Sequence, residues 1–377
     1  MAKHHLLCVH GIGKHPDDWV HQEKIENDRT FAQLFREQFA VMFPERQFED
    51  YFELHSIAYD PEIEKILDQW QTTLATLTTD LSHIGDLPKS VDWYKQYAKK
   101  SKELRESDDP IATHAIDLLF YRSSVTLRTR LVEHVANKLI QKVKEIREAN
   151  RWDHISVLGH SMGTAMLNDA LSIIFNHSVR VRFLNLTEHE IEDTLRGNFK
   201  FHSIIQVANC SFTLRHVKAR DFYIGAPGPG NSNQDECHFF ININNDYDPV
   251  GKIAPFNPES TNWVEQDDNT RKRIRDLRLD KITSRYIHSI NHYFRDPEVV
   301  ENVFSTLIYG TTLKPDQQSL KKYRENWEKL TLSGAAKELV DKLKATDYSS
   351  MDSIDALIDA IRDQGKLLRS FRGDFTI

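Results

Sequence analysis

Apolar residues run along the chain in two rhythms, and their alternation predicts the architecture. Residues 5–13, HLLCVHGIG, make a short uninterrupted apolar run that ends in a glycine-rich turn, as a buried strand would. A second strand is expected at 50–59, DYFELHSIAY, from its β-prone aromatics. Over 61–124 the pattern changes to helical-period segments such as EIEKILDQWQTTLATL with little strand signal, which predicts a helical insertion. Leu131, Val132, Val135, Leu139, Val143 and Ile146 then recur at three- and four-residue steps against a charged face, so 125–149 reads as an amphipathic helix packed on a sheet.

His154 to Leu158 is β-rich, GHSMG follows it, and Thr164 to Phe175 is strongly apolar, which together read as strand, sharp turn and buried helix. Further strands are expected at 202–208, 237–243 and about 282–287. Strands separated by helical material predict an α/β fold, a mostly parallel sheet flanked by helices. Past Gly310 the strand signal ends, and Ile354, Leu357, Ile358 and Ile361 keep helical spacing. The expected organisation is therefore an α/β domain over 1–310 and a helical C-terminal extension over 311–377. Gly225 to Gly230, GAPGPG, reads as one loop within the domain.

Composition narrows the function classes. With 40% hydrophobic and 28% charged residues the chain has material for a packed core, and a net charge of -7 gives no basic face for nucleic acid. Cys8, Cys210 and Cys237 are odd in number and scattered, with no CxxC or Cys/His ligand spacing, so neither a disulfide framework nor a metal site is expected. The first residues carry no secretory pattern and no run of about 18 apolar residues occurs anywhere, so the expected location is cytoplasmic without a transmembrane segment, leaderless secretion being left open.

Gly159-His160-Ser161-Met162-Gly163 matches G-x-S-x-G, the turn that lifts a serine hydroxyl off the end of a strand. A side chain at 159 or 163 would collide with the neighbouring strand and helix, and the helix that starts here points backbone N–H groups at developing negative charge. His10-Gly11-Ile12-Gly13, at the end of the first strand, has the form of the oxyanion loop that accompanies such a turn. Ile12 and Met162 are then the expected N–H donors. His10 is expected to brace the loop rather than act as a base.

These motifs resemble those of the α/β-hydrolase superfamily, in particular its lipase- and esterase-like members, over roughly residues 5–310. The resemblance implies the chain order nucleophile, acid, histidine, with the acid after the penultimate strand and the histidine after the last. Asp248, in Asp-Pro-Val after the strand at 237–243, fits the acid loop, with Asp246 in reserve. His288 and His292, four residues apart, are both candidates for the base. His288 is the first choice because it directly follows the expected last strand. His4, His5, His15 and His154 lie near strand ends and receive no role. The chain departs from the family pattern in two ways: it begins at what resembles the third strand, which implies a trimmed sheet, and its insertion precedes the helix before Ser161.

The resemblance further implies hydrolysis of a carboxylic ester through an acyl-enzyme, without a cofactor, on a small-molecule or lipid acyl ester. A thioester would use the same machinery. A non-catalytic binding or scaffold protein that keeps the fold is the rival from another class, and contact with a membrane surface follows only from the lipid reading. The oligomeric state is left open.

Overall fold

The computed structural model describes residues 2–11, 15–24, 29–66, 68–69, 72, 121, 125–175, 177–196, 199–211, 214, 236–248, 250, 272–282 and 287–329, with the backbone alone at 177–179. Its centre is a six-stranded sheet, and every pairing in it is parallel. The strands are β1 (His4–Val9), β2 (Phe52–Ile57), β3 (His154–His160), β4 (Phe201–Val207), β5 (Cys237–Asn245) and β6 (Ile274–Leu279). Their order across the sheet is β2-β1-β3-β4-β5-β6.

All six residues of β1 are buried because both faces of the sheet are covered. Alternation divides them: Leu7 and Val9 join one core and Leu6 and Cys8 the other. The first core is roofed by α3 (Val125–Ala149), whose buried stripe includes Leu131, Val135, Leu139 and Val143, and by α4 (Met162–Phe175), buried along most of its length. Arg128 Nε and Asp169 Oδ2, 2.9 Å apart, join the two helices. The second core is filled by α2 (Phe31–Met42) and α8 (Pro297–Leu307), where Phe35 packs on Phe304 with ring centroids 4.7 Å apart. Each fully buried side chain of this kind contributes about 1.5–3 kcal/mol.

Local signals set the helix starts. Thr30 caps α2, with a reciprocal bond from its own N–H to the Gln33 side chain. Asp296 caps α8, with Pro297 at its first position. Two short helices, α1 (Trp19–Gln22) and α7 (Ile290–Tyr293), pack against α2, and α5 (His177–Phe183) and α6 (Glu188–Thr194) follow α4. The helix past residue 310, α9 (Gln317–Glu328), buries Leu320 and Trp327, and Asp316 N–H donates to Met42 O at 2.7 Å.

Five strands fall where the apolar pattern placed them, and a sixth, β6, lies outside the expected ranges. It occupies Ile274–Leu279, before the segment expected at 282–287. Ile282 and Ile287 lie outside any strand, and 283–286 fall outside the described residues. β6 is an edge strand: Leu277 and Leu279 face the core while Arg275, Asp276 and Arg278 are exposed. A charged sequence therefore forms this edge of the sheet. The insertion expected over 61–124 lies mostly outside the described residues, which keep only 61–66, 68–69, 72 and Tyr121, all helical.

The strand order reverses between β1 and β3. From β1 the chain moves outward to β2, then returns to place β3 on the other side of β1. At such a reversal the connections leave the carboxyl ends of neighbouring strands in opposite directions and open a crevice, where ligands bind in open parallel sheets. His10-Gly11 and Ser161 sit at that point.

Candidate active site

Ser161 follows directly on β3 and precedes the first residue of α4. Its φ is 53°, in the left-handed region that costs a non-glycine residue on the order of 1–3 kcal/mol. The turn is held from several sides. Ser161 N–H donates to Val207 O at the end of β4 at 2.9 Å, and Thr164 donates to Ser161 O through its N–H at 2.8 Å and its hydroxyl at 2.6 Å.

Space at the turn requires its glycines. A Cβ at Gly159 would lie 2.9 Å from Thr164 Cα, and one at Gly163 would run into the carbonyl oxygens of His10 and Val9. One at Gly11 would lie 2.7 Å from His160 Nδ1 and 3.0 Å from Ser161 Cβ. The first strand, the serine turn and the helix thus meet with no room for a methyl group.

The turn that carries Asp248 is built by the end of β5. Asn245 accepts Tyr247 N–H on its side chain at 2.9 Å and Asp248 N–H on its carbonyl at 3.0 Å, which curls the chain so that Asp248 turns inward while Asp246 is exposed. Asp248 is fully buried, and its carboxylate accepts from Val250 N–H at 3.0 Å, Tyr293 hydroxyl at 2.5 Å and His288 Nδ1 at 2.8 Å. Burial alone would push this carboxyl up. Electrostatic attraction to the adjacent His288 imidazole and the three donors outweigh it and hold Asp248 below the usual carboxylate range.

His288 bridges acid and serine. Its Nε2 lies 2.7 Å from Ser161 Oγ while its Nδ1 faces Asp248. Because Asp248 only accepts, Nδ1 carries the proton and Nε2 presents its lone pair to the serine hydroxyl. Ser161, His288 and Asp248 are therefore brought together, from the ends of β3, the turn before α7 and the end of β5.

His292 is not part of this group. Ser289 caps α7, so His288 precedes the helix and His292 lies one turn inside it, where its Nε2 is 3.4 Å from Asn245 Nδ2. Burial lowers its pKa to about 4, so it stays neutral in the folded protein. His10 donates from Nδ1 to Gly11 O at 2.8 Å, accepts Tyr59 N–H at 3.1 Å on Nε2 and stacks on the Tyr59 ring, whose hydroxyl also donates to Gly11 O. It fixes the entry to the glycine loop. Ile12 and Gly13 lie outside the described residues. Met162 is the first residue of α4, where a backbone N–H has no intrahelical partner.

Two residues of the site were not singled out from sequence. His160, inside the GHSMG turn, donates from Nε2 to the carbonyl of His288 at 2.8 Å. Burial lowers its pKa to about 3, so it serves as a fixed neutral donor. Tyr293 is the second side chain on Asp248. A histidine at the x position of the turn and a tyrosine five residues after His288 were visible, but their partners are set only by the fold.

Among the described residues, two groups have ligand atoms close enough for a cation: His10, His15 and Asp60 beside the site, and His5, Glu53 and His55 at the far end of the sheet. In the first, both ring nitrogens of His10 are engaged with Gly11 and Tyr59, and Asp60 accepts His15 N–H at 2.8 Å. The hydrogen bonds account for that group. Among the described residues no helix is long and apolar enough to cross a membrane. No family model matches the sequence, and no curated protein matches it.

Proposed function

We propose that the chain is a serine hydrolase of the α/β-hydrolase fold that cleaves carboxylic esters through an acyl-enzyme. The observation that carries this reading is His288 bridging Ser161 Oγ at 2.7 Å and the buried Asp248 carboxylate at 2.8 Å, at the crevice where the strand order reverses. The all-parallel sheet and the left-handed Ser161 support the fold assignment.

In this mechanism His288 Nε2 takes the Ser161 proton as Oγ attacks the ester carbonyl. Asp248 stabilises the imidazolium and keeps its orientation. The carbonyl oxygen gains charge and is held by Met162 N–H at the start of α4 and by Ile12 N–H of the glycine loop, the donor pair implied by the motif. His288 then gives its proton to the leaving alcohol, and water repeats the sequence on the acyl-enzyme to release the acid. The substrate class proposed is an acyl ester of lipid type, after the lipase-like form of the motifs. The intact relay favours a catalyst over a scaffold that merely keeps the fold.

Turnover of p-nitrophenyl esters of increasing acyl length tests it. The expected result is hydrolysis by the wild-type chain, none above background with Ser161→Ala, and a rate that rises with acyl length beyond acetate. Equal rates for the two proteins would remove the reading.

A further inference from the structure

The end of the sheet opposite Ser161 carries a second group of side chains that ester hydrolysis does not use. His5 on β1 is the register partner of Glu53 on β2, and His55 lies two residues further along β2. Residues two apart on a strand share a face, so the three side chains project from one side of two adjacent strands. His5 Nδ1 and His55 Nε2 are 3.0 Å apart, and the Glu53 carboxylate oxygens lie 3.9 Å from the former and 3.8 Å from the latter.

The outer nitrogen of His5 decides how this group is read. His5 Nε2 lies 3.2 Å from Asp153 Oδ2. That carboxylate is fixed by Lys3 N–H and by the Asn150 amide, both at 2.7 Å on Oδ1. A carboxylate only accepts, so His5 carries its proton on Nε2 and turns the Nδ1 lone pair toward His55 and Glu53. A histidine whose far nitrogen donates to an anchored carboxylate, with its near nitrogen aimed at another imidazole and a carboxylate, has the arrangement of a metal-ligating histidine and its outer support.

We propose that His5 Nδ1, His55 Nε2 and the Glu53 carboxylate form a site for one first-row divalent cation of zinc type, which clamps the edge strand β2 to β1. Tetrahedral zinc with bonds near 2.0–2.1 Å sets its ligand atoms about 3.3 Å apart. The two imidazole nitrogens are within a few tenths of an ångström of that. Glu53 closes the remainder by turning its side chain, which is 49% exposed, and by releasing Lys3 Nζ, 3.5 Å from Oε2. His55 moves its proton to Nδ1 as the cation takes Nε2, and water fills the fourth position. Two imidazoles and one carboxylate suit zinc better than magnesium or calcium, which prefer oxygen. His5 is five residues before His10, about 16 Å along β1, so the site stands apart from Ser161 and independent of the hydrolase reading.

The test uses the full chain, stripped with chelator and titrated with zinc chloride against a chromogenic competitor. The expected stoichiometry is one tightly bound zinc per chain, with a rise in melting temperature of roughly 3–6 °C at saturation. Glu53→Gln and His55→Ala are expected to lose that zinc and the rise. Asp153→Asn, which leaves all three ligands in place, is expected to weaken binding by about 10–100-fold. Glu53 is half exposed on an edge strand, so its variant reports binding even if His55→Ala fails to fold. A wild-type chain that binds no zinc, or Glu53→Gln binding it as tightly as wild type, would overturn the proposal. The second result would move the cation to another group, such as His10, His15 and Asp60.

Discussion

His160 donates its Nε2 proton to the backbone carbonyl of His288 across 2.8 Å, so the residue that precedes Ser161 in the chain also holds the residue that faces it. Ser161 and His288 come from positions 127 apart, and this bond ties the two turns into one unit. His160→Ala leaves the His288 carbonyl without its donor, at a cost of about 1–3 kcal/mol. The expected result is a 5- to 100-fold fall in kcat with KM nearly unchanged. His160→Gln, which can still donate, is expected to recover part of the loss. Unchanged kcat in the alanine variant would show that His288 is held without it.

His288 and His292 separate by role. His288→Ala is expected to lower kcat by on the order of 10⁴-fold or more, since the relay loses its centre. His292→Ala should keep turnover within about tenfold, because the side chain faces Asn245 rather than Ser161. The pair is read in one assay on esters, and the reverse ranking would contradict the geometry described above.

Tyr293→Phe removes one of three donors to the Asp248 carboxylate and leaves the ring in place. Asp248 is held below its ordinary pKa, so the stability it contributes is present above about pH 4 and is lost as pH falls through its folded value. Without the tyrosine hydroxyl that folded value rises. Acid unfolding of Tyr293→Phe should therefore begin at higher pH than in wild type, with kcat reduced about 10-fold. Superimposable acid-unfolding curves would count against the bond.

Acid sensitivity should begin near neutrality. Burial lowers His160 to about 3 and both His202 and His292 to about 4, against an ordinary value of 6.5. As pH falls the unfolded chain takes up these protons first, so the stability they contribute is full above about pH 6.5 and is lost progressively from there toward pH 4. Urea midpoints measured at pH 7, 6 and 5 should decrease steadily. His202→Gln should flatten that decrease by one proton's worth of slope, about 1.4 kcal/mol per pH unit at most.

The strain at Ser161 gives a stability test independent of activity. Ser161→Ala keeps a side chain at φ 53° whereas Ser161→Gly does not, so the glycine variant is expected to be the more stable of two inactive proteins by about 1 kcal/mol. Gly163→Ala should have the opposite effect, costing 3 kcal/mol or more, because the new methyl meets the His10 and Val9 carbonyls. Chemical denaturation of the three variants checks both.

What could be read from sequence was what local chemistry dictates. The buried run of β1, the stripe of α3 and the flanks of Ser161 each carry their own signal, whereas the grouping of Ser161 with Asp248 and a histidine came only from what the resemblance to α/β-hydrolases implies. β6 was not expected from sequence because this edge strand buries only Leu277 and Leu279 fully, with Ile274 partly buried, and its charged positions look like a loop. The choice between His288 and His292 needed the start of α7, which Ser289 sets within one residue. His160 and Tyr293 were invisible as partners because hydrogen bonds across 128 and 45 positions depend on strand order, which periodicity does not encode. The group at His5 was missed for the same reason: its ligands come from two strands whose register brings them level.

Whether Ser161 is an activated nucleophile is read from its reaction with a fluorophosphonate probe, because only a serine with a working base reacts quickly. The expected result is stoichiometric labelling of the wild-type chain, with the probe on the peptide that contains Ser161, no labelling of Ser161→Ala, and strongly slowed labelling of His288→Ala. A folded wild-type protein that stays unlabelled, or one labelled equally in Ser161→Ala, would contradict it.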